Sequence, residues 1–325
     1  MKKLIILVSV LVMAISLGAC TNSETENDSN KPLVMTTLFP HYDFAKTLGG
    51  DHVEVEYLLP PGMSAHSYEP SPQGVVRISG ADLLVYTGDM MEPWVDDMVV
   101  GSGAPESLEL LDLSQKVELI ALGESEEEHS EEDHDDHEHE DDDIDPHFWT
   151  DPLNAIKMIE SIEAALLNLV DDSVAKAEIT ANADAYISSI YEYHEDVLHV
   201  MEHTEEKNIM HGGHNAFGYF VYRYNLEYIT PYQGFSTDSE PTPGALSNMV
   251  DTMETYNVDT LFAETLIDPK VAEAIAEETG ARILYLNTAG NVSKDALENG
   301  VTYLDMMKEN LETLKEGLGY DERAN

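Results

Sequence analysis

The chain has 325 residues and a formal net charge of −48, with 64 Asp and Glu against 16 Lys and Arg. Such a surface repels nucleic acid and anionic lipid headgroups and attracts cations, so nucleic acid is excluded as an expected partner. Cys20 is the only cysteine, which rules out an internal disulfide.

The first twenty residues read as an address. Lys2 and Lys3 precede an apolar run from Leu4 to Leu17, and Leu17-Gly18-Ala19-Cys20 has the look of a lipobox. About fourteen apolar residues are too few to span a bilayer comfortably, so the segment reads as a processed signal rather than an anchor helix. We expect residues 1–19 to be a signal peptide and Cys20 to carry the lipid. The alternative is an ordinary signal peptide with an incidental cysteine. Residues 20–31, rich in Asn, Ser and Glu, read as a flexible tether. The expected location is extracytoplasmic, held to the cell membrane by acyl chains.

The body alternates strand and helix. A strand over Leu33 to Phe39 is followed by a helix near His41 to Leu48 and a strand over Val53 to Leu59, ended by Pro60-Pro61-Gly62. Ser71-Pro72 opens a helix through Ile78, and Asp82 to Tyr86 reads as a buried strand. A short helix near Glu92 to Val99 and a strand at Val117 to Ala121 come next. Asp151-Pro152 caps an amphipathic helix to Leu169, with proline in the first turn. The longest helical pattern runs from Asp172 to Glu206 without Pro or Gly, on the order of 50 Å. That suits a strut between two lobes. The remaining expected elements are a strand at Asn208 to Met210, a helix over Asn215 to Tyr224 and a strand at Leu226 to Ile229. Then come a helix from Pro243 to Tyr256, a strand at Thr260 to Ala263, a helix over Pro269 to Glu278 and a strand at Arg282 to Leu286. Ser293 opens a last helix to about Leu318. Strand–helix alternation gives an α/β fold with parallel sheets flanked by helices. The expected division is an N-terminal lobe over 32–170, a linker helix over 171–206 and a C-terminal lobe over 207–325.

Within the first lobe, Glu124 to Asp145 holds His129, His134, His137 and His139 among fifteen acids and no Lys or Arg. Without those acids the net charge is still −33. Nothing in the tract is apolar enough to offset the cost of ordering it, so 124–143 is expected to be a disordered loop. Imidazole and carboxylate together suit Zn²⁺, Cu²⁺ and Ni²⁺, which makes the loop a metal-gathering segment rather than an inert acidic linker.

Nine histidines lie outside the tract, and three share a context. His66 (in Gly62-Met63-Ser64-Ala65-His66), His147 (in Asp145-Pro146-His147-Phe148-Trp149) and His214 (in His211-Gly212-Gly213-His214) sit in Gly- or Pro-marked loops beside predicted strand ends or helix starts. Ligands of open α/β sheets bind beyond the carboxyl ends of strands. Spacing alone leaves each a ligand or a structural loop residue. His41 and His52 read as surface or loop residues. His194 and His199 are five residues apart on the long helix, about 140° around it, and cannot share a face as a two-histidine protease motif requires. His199 and His203 do share a face, among charged neighbours, and read as solvated.

The segments Gly62 to Pro72, Asp145 to Pro152, His214 to Phe220 and Pro269 to Ala281 together resemble the zinc- and manganese-binding solute-binding lipoproteins of bacterial metal ABC transporters. The resemblance covers about Lys31 to Leu318. It implies two lobes of parallel sheet joined by one long rigid helix, with the metal between them, held here by His66, His147 and His214. A third histidine, together with an acidic His-rich loop before the second ligand motif, places the chain in the zinc-type branch. Zn²⁺ is then the expected ion and Mn²⁺, which prefers more oxygen, the less favoured one. One departure stands out. The family often has a carboxylate ligand in the loop after the last strand, and Leu286-Asn287-Thr288-Ala289-Gly290-Asn291 has none. Glu240 and Glu264 are the candidates for a fourth ligand, with water or a tract residue as the other options.

The function implied is Zn²⁺ capture outside the cytoplasm and delivery to an ABC permease and its ATPase, by a monomeric, lipid-anchored binding protein. Two alternatives stand beside it: a zinc hydrolase using three histidines and water, and a metal-binding surface adhesin. Against the enzyme, the sequence carries no nucleophile elbow, phosphate loop or catalytic cysteine. The charge itself makes a prediction. Salt should screen the self-repulsion and raise the unfolding temperature between low and molar salt; identical melting across that range would contradict it.

Overall fold

The computed structural model describes residues 31–102, 105, 107–120, 144–235 and 240–323. The expected signal peptide, Cys20, the tether and the His-rich tract with His129, His134, His137 and His139 lie outside the described residues.

The first sheet contains β1 (Leu33–Thr36), β2 (Glu54–Tyr57), β3 (Leu83–Tyr86) and β4 (Glu109–Asp112), all parallel in the order β2-β1-β3-β4. Around it pack α1 (Phe39–Gly49), α2 (Pro72–Ile78) and α3 (Trp94–Ser102). The second half contains β5 (Asn208–Met210), β6 (Glu227–Ile229), β7 (Thr260–Glu264) and β8 (Arg282–Leu286). These form two parallel pairs, β5-β6 and β7-β8, joined by a bridge between His211 and Phe262. The order becomes β6-β5-β7-β8, the same topology as the first sheet. In both, strand order reverses beside the first strand, so each lobe offers its crevice at the carboxyl ends of its strands. The helices of this half are α6 (Gly218–Arg223), α7 (Pro243–Tyr256), α8 (Lys270–Thr279), α9 (Lys294–Glu298) and α10 (Tyr303–Gly317).

Between the halves run α4 (Pro152–Leu169) and α5 (Ser173–Glu202). The 30-residue α5 is about 45 Å long. It buries Ala175, Ile179, Ala183, Tyr186, Ile190, Tyr193 and Val197, a step of three or four residues that draws one stripe along the helix. Its N-terminal part meets α1, where Asn182 donates to the Leu48 carbonyl and the Tyr186 hydroxyl to Asp43 at 2.5 Å. Further along, His194 pairs with the Tyr224 hydroxyl at the end of α6. The helix stops four residues short of the expected Glu206. Side chains of His203, Thr204 and Lys207 take the carbonyls of His199, Val200 and Met201 and so close its last turn.

One apolar cluster runs through the whole body. It joins Val34, Phe39 and Phe44 to Phe148 and Trp149, to the α5 stripe, and to Tyr219, Phe220, Tyr303 and Leu311. Separate clusters cover the outer face of the first sheet, around Met35, Leu84 and Trp94, and of the second, around Met210, Leu261 and Ile275. A core continuous across both halves opposes large movement between them.

Several expectations need correction. Val117 to Ile120 is not a strand. It is an extended strap in which Ile120 accepts from the Asp145 amide and donates to the Tyr219 hydroxyl, and the fourth strand is Glu109–Asp112. That strand was hard to read because it lies on the sheet edge and buries only Leu111. The last helix is two, because Gly300 adopts φ 72° and a capping box between Thr302 and Asp305 starts α10 afresh. His41 is not a surface residue. Helix α1 is buried on nearly every side, and His41 is fully buried with Nδ1 3.2 Å from the Thr37 hydroxyl.

Burial holds the His41 imidazole far below its ordinary range, down to about 3. The unfolded chain therefore takes up this proton near pH 6.5 while the folded chain does not, and this group lowers stability as pH falls below 6.5. We predict that the stability advantage of the wild type over His41→Gln shrinks by about 2 kcal/mol between pH 6.5 and pH 5 in urea titrations. A difference independent of pH would contradict this.

Candidate metal site

Three loops bring the site together. His66 lies on the irregular segment between β2 and α2. His147 follows the strap that leaves the first sheet and precedes a short 3₁₀ turn, Phe148–Thr150. His214 follows β5, where Gly212 and Gly213 let the chain pass close under its neighbours. A Cβ on Gly212 would collide with Ala272, and one on Gly213 with the Glu264 carboxylate and the His211 ring.

The three imidazoles, far apart in sequence, meet in a cleft between the halves. The Nε2 of His147 lies 3.2 Å from the Nε2 of His66 and 3.3 Å from that of His214. Ligand atoms of all three fall within 4.8 Å of one another, the one such group among the described residues. Nitrogens placed tetrahedrally at Zn–N bond length would sit about 3.3 Å apart, so the observed spacing fits one small cation. His147 and His214 are buried, at 2% and 5% exposure, and His66 is half-buried at the cleft mouth. The cleft holds about 260 Å³ and is completed by Met63, Met91, Trp149, Leu266 and Asn287.

Two carboxylates stand behind the rings. Asp145 Oδ1 lies 2.9 Å from His147 Nδ1 and accepts from the His147 amide. Glu264 Oε1 lies 2.7 Å from His214 Nδ1 and accepts from the His214 amide. Each carboxylate draws the ring proton to Nδ1 and leaves an Nε2 lone pair facing the cluster, the tautomer that a metal ligand needs. Burial, with His214 adding to it, holds His147 well below its ordinary value, so the ring stays neutral. Burial also pushes Asp145 up, to about 7, against the pull of the His147 amide and His214. Glu264 goes the other way. Burial would raise it, but the charge and hydrogen bond of His214, with help from His211 and His147, outweigh that and hold it below the usual carboxylate range.

Glu264 engages His214 through Oε1 and also lines the cleft, and it lies outside the group of three histidines. Glu240 is exposed and does not line the cleft. His211 is fully buried and pairs through Nδ1 with the Tyr228 hydroxyl, which also reaches the His214 carbonyl at 3.1 Å. Asp145 and Tyr228 contact two of the candidate ligands and are residues that sequence reasoning passed over. Asp145 sits two residues before His147, a spacing that lets its side chain turn back onto the amide and ring, and that was the available signal.

A two-lobed α/β body with parallel sheets, a long connecting helix and a nitrogen-lined cleft between the lobes defines a solute-binding protein. The chain belongs to the family "zinc-uptake complex component A, periplasmic", which matches residues 34–317. It is 34% identical over 305 residues to the high-affinity zinc uptake system protein ZnuA of Bacillus subtilis, covering 93% of each chain. It is 29% identical over 321 residues to the zinc-binding lipoprotein AdcA of Streptococcus pneumoniae and spans 61% of that protein's length. The crystal structure of the Zn(II)-bound ZnuA-like domain of S. pneumoniae AdcA superposes with a TM-score of 0.72 at 26% identity, over 89% of this chain and 99% of that one.

Asp145→Asn keeps an acceptor for His147 but removes the charge. We predict a zinc affinity lower by about tenfold, within the range for outer partners of a metal ligand. The sign of the pH effect follows from the raised Asp145. Free protein holds its proton below about pH 7, and a bound cation expels it, so wild-type affinity should climb with pH up to about 7 and then flatten. The variant should lose much of that slope. Equal affinity and equal slope, by calorimetry from pH 6 to 8, would contradict this role.

Proposed function

We propose that the protein captures Zn²⁺ outside the cytoplasm and hands it to an ABC permease driven by its ATPase, with His66, His147 and His214 as the ligands. The observation that carries this is the set of inward-facing Nε2 atoms at 3.2 and 3.3 Å, with Asp145 and Glu264 behind two of the rings. Three neutral imidazoles favour Zn²⁺ over the oxygen-seeking Mn²⁺. The two buried carboxylates offset the charge of a divalent ion without touching it. The fourth coordination position falls to water, since Glu264 is engaged with His214 and Glu240 is exposed on the surface.

The enzyme reading is the weaker one. Hydrolytic zinc needs a base near its water, and each carboxylate at this site has an oxygen engaged on the Nδ1 side of its histidine. We further propose that Cys20 carries the lipid anchor, that the protein works as a monomer, and that the boundaries 32–170, 171–206 and 207–325 describe lobe, linker and lobe. The His129 to His139 tract supplies weak, exchangeable binding that raises zinc concentration near the cleft.

Calorimetry separates these parts. His147→Ala should cost more than about a hundredfold in affinity, beyond what loss of an orienting partner costs. Deleting 124–142 should remove weak binding and leave one tight site. Tight binding that survives His147→Ala, or that vanishes with the tract, would place the site elsewhere.

A further inference from the structure

His147 and His214 are each fixed by a carboxylate from their own side of the cleft, whereas His66 rides on a segment with no regular structure from Leu58 to Ser71. Its ends are held within the first lobe, by the Leu58 amide on the Thr36 carbonyl and by Tyr68 against Trp94, and the Pro60–Met63 turn between them is held from the opposite lobe. The loop after β8 reaches across, and Asn291, 8% exposed, is its contact point. Its Nδ2 donates to the carbonyls of Pro60 at 3.1 Å and Met63 at 2.5 Å. Its Oδ1 accepts from the Tyr57 hydroxyl at 2.8 Å and from the Val292 amide at 2.6 Å. The Gly62 amide donates to the Val292 carbonyl, closing the same turn from the other side. The rest of the crossing loop is tied down as well: Trp149 Nε1 donates to the Thr288 carbonyl, and the Phe39 amide to that of Gly290.

The geometry points to Asn291 as the positioning residue for His66, a clamp that sets how long a captured ion is retained. An amide suits the place because it must donate to two carbonyls and accept from a hydroxyl and an amide at once, which neither carboxylate nor aliphatic side chain can do. The loop after β8 thus holds the turn that leads to His66. Opening the cleft requires the Pro60–Met63 turn to leave Asn291, so His66 is the ligand that lets go first. It is also the one nearest solvent. This inference rests on the zinc-capture reading for its kinetic consequence, but not for the clamp itself.

Two measurements on the full chain test it. The first is amide hydrogen exchange of metal-free protein. Asn291→Asp keeps the acceptor and loses both donors, and should speed exchange at Gly62 and Met63 by on the order of tenfold, the loss expected from one or two buried hydrogen bonds. Tyr57→Phe, a milder change, should move the same amides in the same direction. The second is stopped-flow release of Zn²⁺ to a chelator. Asn291→Asp should raise the release rate by on the order of tenfold with capture rate nearly unchanged, and should add almost nothing in a His66→Ala background. Unchanged exchange at 62 and 63, or an equal acceleration with and without His66, would overturn the clamp. Wild-type protein that holds no zinc would sink the capture reading, and the exchange result alone would then decide the clamp.

Discussion

Three nitrogen lone pairs pointing at one another inside a cleft are unfavourable unless something positive sits between them. Placing them there costs desolvation of each ring and their mutual repulsion. The fold sustains this because His147 and His214 are locked by Asp145 and Glu264 through both ring and backbone amide. Turning their Nδ1 atoms inward would break buried hydrogen bonds to both carboxylates. These bonds fix the two rings independently of any cation, so a cation bound there would spend little binding energy on organising them.

The rest of the architecture keeps that geometry from relaxing. The shared apolar core through α5, α10 and the Phe148–Trp149 turn ties the lobes together. Polar crossings reinforce it: Arg223 forks onto Asp151 at the start of α4, and the Asp43 carboxylate receives both the Tyr186 hydroxyl and the Tyr303 amide. A body so connected is suited to local adjustment at the cleft mouth, where His66 sits, more than to wholesale closure. The scaffold fixes His147 and His214, and the turn that leads to His66 is held by loop contacts.

Much of this was legible in the chain. Pro152 and Pro243 after their capping residues marked helix starts that the structure places where expected, and the unbroken run after Asp172 marked the long helix. His66, His147 and His214 stood out through their Gly- and Pro-marked loops, although only likeness to a family grouped them. What stayed hidden depended on partners distant in sequence. His41 reads as polar and peripheral until α1 is seen enclosed by α4, α5 and the sheet. The Asn291 crossing joins positions more than two hundred residues apart. Glu264 read as a possible ligand because a carboxylate after a strand is suggestive, and its contact with the Nδ1 atom of His214 had no signal in the sequence. Edge strand β4 has too little buried surface to leave a pattern.

The central claim is that one divalent cation is held between the Nε2 atoms of His66, His147 and His214. The direct measurement is the anomalous difference density at the zinc absorption edge from crystals of the zinc-loaded protein. The account predicts one dominant peak within bonding distance of all three nitrogens. A cleft without such a peak, or a dominant peak touching none of these side chains, would contradict it.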